Sequence, residues 1–363
     1  MTDDPFGNVT PIRPKRTPRA DLLFSQLTYA GEIEPQLDTE YLVKAWITRS
    51  AISVVYGPPN VGKSFLALDI AHAVAKGRRW ASCRVRRAPV VYITLEGGAQ
   101  FDQRVKALDN PEFWVLKVPV NFMDKRHDPT FLAEMLEALA RTHGPIGLII
   151  VDTLARAMAG GDENSSQDMG KLIASVEHLR DKTGAHVMLI HHAGKNAAQG
   201  ARGHSSLRAA IDTEIELTKG ETDGLSEAVA TKQRDMAAGR RFVYRLNEVE
   251  LGRDTDGDPV TTCVVEQAVD GEEPRRARIK GKAEIALQAL STAIERHGSK
   301  RSGPDYPDKL AVTEEQWKEA CSLHDLFADC TSEESERKAF QRVRSELNEK
   351  RLARSFNRVW WLV

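Results

Sequence analysis

The chain has 363 residues, 41% hydrophobic and 28% charged, which fits two folded domains with tails and argues against global disorder. Lys and Arg total 51 against 52 Asp and Glu, so overall charge says nothing about a polyanionic partner and only local clusters bear on it. No apolar run reaches the roughly 18–20 residues that cross a bilayer, and the N-terminal residues lack the apolar middle of a secretory leader; the expected location is cytoplasmic, with no membrane partner.

In chain order, residues 1–20 read as a flexible basic tail, carrying Arg13, Lys15, Arg16 and Arg19 among prolines that oppose a helix. Residues 21–269 read as one α/β domain. Within it, residues 51–56 (AISVVY), 90–95 (VVYITL), 147–151 (GLIIV) and 186–190 (HVMLI) are apolar nearly throughout, as strands are when crossover helices cover both faces of a parallel sheet. Before the last of these, Met169, Leu172, Ile173, Val176 and Leu179 repeat at helical spacing behind a Ser165 or Ser166 cap. Residues 213–217, 227–233, 242–246 and 260–266 then read as successive strands with turns at Asp223-Gly224 and Asp256-Gly257, an antiparallel extension of the sheet. Residues 270–282 are a polar linker. Residues 283–363 predict helices at 283–297, 313–322 and 334–350 and a terminal strand pair, a small winged-helix-like domain. Cys83, Cys263, Cys321 and Cys330 form no CxxC pair, and Cys321, His324 and Cys330 lack an evident fourth ligand, so they read as core thiols.

Chemistry concentrates where the strands end. Gly57-Pro58-Pro59-Asn60-Val61-Gly62-Lys63-Ser64 fits G-x-x-x-x-G-K-[ST] between a strand and a helix-forming run that opens at Phe65. Glycines there let backbone N–H groups turn inward as an anion nest, and the helix N-terminus adds its positive end. Gly57 through Phe65 is therefore the expected nucleotide-binding set, with Lys63 on the β- and γ-phosphates and the Ser64 hydroxyl on Mg²⁺. The apolar strand ending at Asp152 supplies a second carboxylate for the Mg²⁺ shell, with a helix N-cap as the plainer alternative. Glu96, past the strand 90–95, is placed to orient an attacking water; a surface turn carboxylate is the plainer alternative. His191 and His192 end the fourth strand on the same edge, one of them reading as a γ-phosphate sensor. They point to opposite faces and so do not readily share a metal ion. No guanine-reading N-K-x-D is present, which favours ATP.

With these residues in place, the chain resembles a RecA-like P-loop ATPase of the RepA/DnaB hexameric replicative-helicase group. The segment 148–217 carries most of the likeness: LIIVDTLARAMAGGDENSS, then HVMLIHHAGKNAAQGARGHSSLRAAIDTEIEL. The resemblance spans roughly residues 30–250. It implies a RecA-like core, a homo-oligomeric ring of six subunits with ATP between neighbours, and roles for Lys63 as phosphate clamp, Ser64 and Asp152 at Mg²⁺, Glu96 as catalytic carboxylate and His192 as the second His of the pair. The arginine finger departs from the RepA pattern, since its place falls near Asp212 with Arg208 the nearest arginine. Thr231-Lys232-Gln233-Arg234-Asp235 is instead similar to the Lys-Gln-Arg stretch of DnaB-type helicases, which implies that Lys232 and Arg234 reach a neighbour's γ-phosphate. Period-two geometry permits them to point the same way. Arg208 and Arg202 stand behind them.

The segment 194–206 (GKNAAQGARGHSS), with Lys195 and Arg202, is the expected grip on a single-stranded DNA backbone. The acidic loop 157–166 is a poorer one. From Arg337 to Arg358 there are eight Lys/Arg against two Glu, which fits a recognition helix and wing or a solvated helix over a small core. The reading is an ATP-dependent DNA motor of the plasmid or phage replicative-helicase type, with single-stranded DNA, further copies of itself and replication proteins as partners. The alternative is an ATP-switched DNA-binding regulator or loader that does not unwind. A small-molecule phosphotransferase would need an acceptor lid that the sequence does not offer.

Overall fold

The computed structural model describes residues 17–34, 40–192, 205–220, 224–234, 236–269, 280–301, 306, 309–350 and 352–363. Contacts divide the chain into two units, Met1–Thr39 and Glu40–Val363. In the first, helix α1 (Pro18–Ser25) starts inside the expected tail. Pro18 sits in the first turn, where a missing N–H costs nothing, and the Thr17 hydroxyl caps the helix by accepting from the Ala20 N–H, so that proline permits the helix it was expected to oppose.

The second unit opens with the short antiparallel pair β1 (Tyr41–Val43) and β2 (Ile47–Thr48). The alternating core follows as β3 (Ile52–Gly57), α2 (Lys63–Lys76), β4 (Val90–Thr94), α3 (Ala99–Lys106), β5 (Trp114–Leu116), α4 (Asp128–His143), β6 (Leu148–Asp152), α5 (Leu154–Ala157), α6 (Ser166–Thr183), β7 (His186–His192), α7 (Ser205–Ala210) and β8 (Thr213–Lys219). Three long strands complete the sheet: β9 (Leu225–Gln233), β10 (Arg241–Arg253) and β11 (Pro259–Gln267). Its order is β11-β10-β9-β8-β3-β7-β6-β4-β5, parallel from β8 to β5 and antiparallel from β8 to β11. The sheet is thus mostly parallel with an antiparallel extension, as the four apolar runs and the four strands after them predict.

The near-continuous apolar runs feed two cores. Val55, Tyr92, Ile150 and Ile190 join α2 residues such as Leu66 and Ile70 on one face, and Val54, Ile93, Val151 and Leu189 join α6 residues such as Leu172 and Val176 on the other. Both faces are covered, so neither alternates polar with apolar along the strand. Strand β7 lies between β3 and β6, a crossover that puts the second histidine of the pair, His192, beside the start of the loop after β3. Among the described residues no helix is long and apolar enough to cross a membrane.

The C-terminal part runs α8 (Lys282–His297), β12 (Ser299–Lys300), β13 (Leu310–Thr313), α9 (Glu314–Leu323), α10 (Glu333–Glu349), β14 (Ala353–Phe356) and β15 (Val359–Leu362), with strand order β12-β13-β15-β14. Capping boxes at Thr313/Gln316 and Ser332/Ser335 start α9 and α10. A separate core gathers around Trp317, whose ring lies 5.0 Å from Phe340 and 4.7 Å from Trp360, while its indole N–H donates to the Ala286 carbonyl at 2.9 Å. Arg354 of β14 ties this part to the large sheet, pairing with the buried Glu216 of β8 while itself keeping a small exposed fraction.

Candidate nucleotide site

At the carboxyl edge of the parallel strands, four adjacent strand ends each deliver one group. Strand β3 passes into the loop 57–62 and α2. Gly62 occupies the cap position of α2 at φ 92, a left-handed conformation that favours glycine, and a Cβ there would stand 2.9 Å from Leu246 Cδ1. A Cβ on Gly57 would stand 2.7 Å from the Leu217 carbonyl oxygen. The first rung of the α2 ladder is Leu66 N–H to the Gly62 carbonyl, so the amides of Lys63, Ser64 and Phe65 lie ahead of it, available to a ligand. Pro59 and Asn60 form the exposed crest and Val61 is buried beneath.

Lys63 is buried, and its ammonium donates to the carbonyls of Gly57 at 3.1 Å and Pro58 at 2.8 Å, curling over the loop. Burial lowers its pKa, and the charges of Asp152 and Glu96 oppose that shift. Its flexible stem can exchange those carbonyls for phosphate oxygens. Phe65 lies half-buried under the Arg104 guanidinium, 4.8 Å from its ring centroid, and so supports the cradle from behind.

Asp152 ends β6, buried, and its Oδ2 accepts the Tyr92 hydroxyl at 2.6 Å. Its pKa is raised by burial, against which hydrogen bonds from Tyr92 and Ser64 work. A serine hydroxyl beside a carboxylate is a hard oxygen donor set, and it fits a Mg²⁺-sized cation next to a phosphate cradle. Glu96 stands just past β4. The Leu95 N–H donates to the Asp152 carbonyl at 2.6 Å, which locks the two strand ends together, and the Thr153 hydroxyl donates to Glu96 Oε1 at 2.9 Å. Arg156 Nε lies 3.8 Å from the same oxygen. His192 pairs in register with Gly57, half-buried on the α2 side of the sheet, whereas His191 pairs with Tyr56 and is fully buried on the other side.

Lys63, Ser64, Glu96, Asp152 and His192 thus share one edge. Lys232 and Arg234 do not. The Arg234 N–H donates to the Asp212 carbonyl and the Asp212 N–H to the Ile52 carbonyl, which sets Arg234 level with the opposite end of β3. Five residues of strand, about 16 Å at 3.3 Å per residue, separate that level from Gly57. The Lys232 ammonium donates to the Arg208 and Ile211 carbonyls, and the Arg234 guanidinium pairs with Asp212 at 2.8 Å, so both lean toward α7 from the same side. Arg208 pairs with the buried Glu214 at 3.3 Å. Lys195 and Arg202 lie outside the described residues.

The C-terminal cations are less available than their number implies. Lys338, Arg344 and Lys350 pair with Glu334, Glu314 and Glu346, Arg344 also lies over Trp360 and Phe340, and Arg354 pairs with the buried Glu216. Arg337, Arg342 and Arg358 are exposed without a carboxylate partner among the described residues, and the first turn of α10 carries Glu333, Glu334 and Glu336. A recognition helix reads bases with its N-terminal residues, where these acids would face phosphate. Sequence reasoning missed Tyr92 and Thr153: each hides in an apolar stretch, and the only signal was a hydroxyl where an aliphatic residue would serve.

The profile of the AAA domain family matches residues 16–198, half of the chain. The comparison with curated proteins gives no match. Among solved structures, the crystal structure of the RadB recombinase is similar over 55% of this chain and 88% of its own, at 20% identity and a TM-score of 0.41.

Proposed function

The chain belongs to the AAA domain family, and we propose that it is a RecA-like P-loop ATPase that hydrolyses ATP with Mg²⁺ at the edge formed by β3, β7, β6 and β4, and uses the cycle to move single-stranded DNA. The observation that carries the reading is the convergence of Lys63, Ser64, Asp152 and Glu96 on that one edge. Bound there, Mg²⁺ supplies charge neutralisation on the phosphate oxygens. Lys63 holds the β- and γ-phosphates, Ser64 and Asp152 hold the cation, and Glu96, fixed by Thr153, orients the attacking water. His192, beside Gly57, contacts the γ-phosphate and passes its loss to the segment 193–204 that leaves β7. Lys232 and Arg234 serve a neighbouring copy's site in a homo-oligomeric ring of the hexameric helicase type, and the element order α-β-β-α-α-β-β supports a winged-helix-like module at 283–363.

The test is ATP turnover with and without a single-stranded oligonucleotide, read beside strand separation and the mass of the particle with ATP. Expected are DNA-stimulated turnover, loss of turnover in Lys63→Ala and Arg234→Ala, and an oligomer; turnover indifferent to DNA overturns the motor. The internal ion pairing of the C-terminal cations favours a second reading, an ATP-switched regulator or loader, for which DNA-stimulated turnover would come without strand separation.

A further inference from the structure

Tyr92 stands on β4 in register with Ile150 of β6, its ring 5.1 Å from Phe101 and wholly buried among the residues that face α2. For packing alone a phenylalanine would serve. The hydroxyl is the informative atom. It donates to Asp152 Oδ2 at 2.6 Å, a length in the range of charge-assisted O–H···O⁻ bonds, and the Ser64 side chain lies beside it. Asp152 and Ser64 come from β6 and α2, and Tyr92 from β4, so the phenol that fixes one group read as a cation ligand stands beside the other, although none of the three is near another in sequence. A carboxylate at the end of a strand has rotamer freedom about χ1 and χ2; a bond to a rigid ring anchored in the core removes it.

We propose that Tyr92 is a positioning residue for the divalent-cation site, holding the Asp152 carboxylate beside the Ser64 hydroxyl in the arrangement a Mg²⁺ ion needs. This rests on the reading of that edge as a Mg·nucleotide site. Tyr92 touches neither the phosphates nor the reacting atoms; it acts through Asp152. Residues that orient metal ligands from behind typically change metal affinity about 10–100-fold when removed.

The experiment titrates Mg²⁺ into the full chain in the presence of a fluorescent ATP analogue, for the wild type and for Tyr92→Phe, with EDTA controls and thermal melts. The expected result is analogue binding in EDTA unchanged within about twofold, and a half-saturating Mg²⁺ concentration raised about 10-fold or more in Tyr92→Phe. Ca²⁺, which accepts oxygen ligands in flexible geometry, should show a smaller deficit than Mg²⁺, which demands a near-ideal octahedron. Tyr244→Phe, which removes a buried hydroxyl elsewhere in the same core, should leave the Mg²⁺ requirement unchanged. An unchanged Mg²⁺ requirement in Tyr92→Phe, an equal deficit for Ca²⁺, or the same shift in Tyr244→Phe overturns the proposal while the nucleotide site stands. Failure of the wild-type chain to bind the analogue overturns both.

Discussion

Replacing Arg354 by methionine asks whether charge binds the C-terminal elements to the large sheet. The side chain reaches from β14 to Glu216 on β8, with the Tyr56 hydroxyl beside it; Glu216 is buried and Arg354 mostly covered. Burial works against the Arg354 charge, but Glu216 and Tyr56 more than offset it, so the guanidinium pKa is raised. Methionine fills much of the same volume and leaves the Glu216 carboxylate with a buried charge and no guanidinium. Breaking one side of such a pair costs about 3–5 kcal/mol. The unit Glu40–Val363 has about 320 residues, and at ~2.1 cal/mol/K per residue its unfolding entropy is ~0.7 kcal/mol/K, which converts the loss to a fall in Tm of about 4–7 °C. Circular dichroism melts of the wild type, Arg354→Met, Glu216→Gln and the double variant measure it. The double variant, with no charge left to bury, should melt above Arg354→Met. A fall under about 1 °C, or a double variant no more stable than the single one, refutes the reasoning.

His186 gives a pH signature. Its ring is buried between the Thr48 carbonyl at 2.8 Å and the Ser53 hydroxyl at 2.7 Å, and burial pushes its pKa down to about 4. The unfolded chain therefore takes the proton first, so this contribution is whole above pH ~6.5 and is lost as pH falls toward 4, at up to ~1.4 kcal/mol per unit; denaturant melts at pH 7 and 5 should show it, and His186→Gln should flatten it. Gly62→Ala should cost about 1–2 kcal/mol from its positive φ, and adding Leu246→Ala relieves the 2.9 Å contact but not that strain, which chemical denaturation separates. Thr153→Val removes the hydroxyl on Glu96 and should lower single-turnover ATP hydrolysis while leaving affinity for the ATP analogue unchanged. Equal losses in binding and turnover would contradict that role.

The fold was largely written in hydrophobic period and strand-end chemistry. The four apolar runs became β3, β4, β6 and β7 within two residues at each end, because burial on both faces leaves no room for a polar interruption until the strand emerges. The cradle and its acid were legible for the same reason: they stand where those runs stop. Helix α4 and strand β5 went unread; β5 is half-buried at the sheet's edge and carries no alternation. Arg354 read as part of a basic face because its partner, Glu216, lies 138 positions away and only folding brings them together. Tyr92 looked like core, and its ring is core; its hydroxyl gained meaning only beside Asp152.

The sheet order has a mechanical consequence. Since β7 is hydrogen-bonded to β3 on one side and β6 on the other, any sliding of the phosphate cradle against Asp152 must shear one of its two ladders. On the proposed function, a displacement of the cradle is therefore delivered into β7 lengthwise, and His192, paired with Gly57, is the last rung of that ladder.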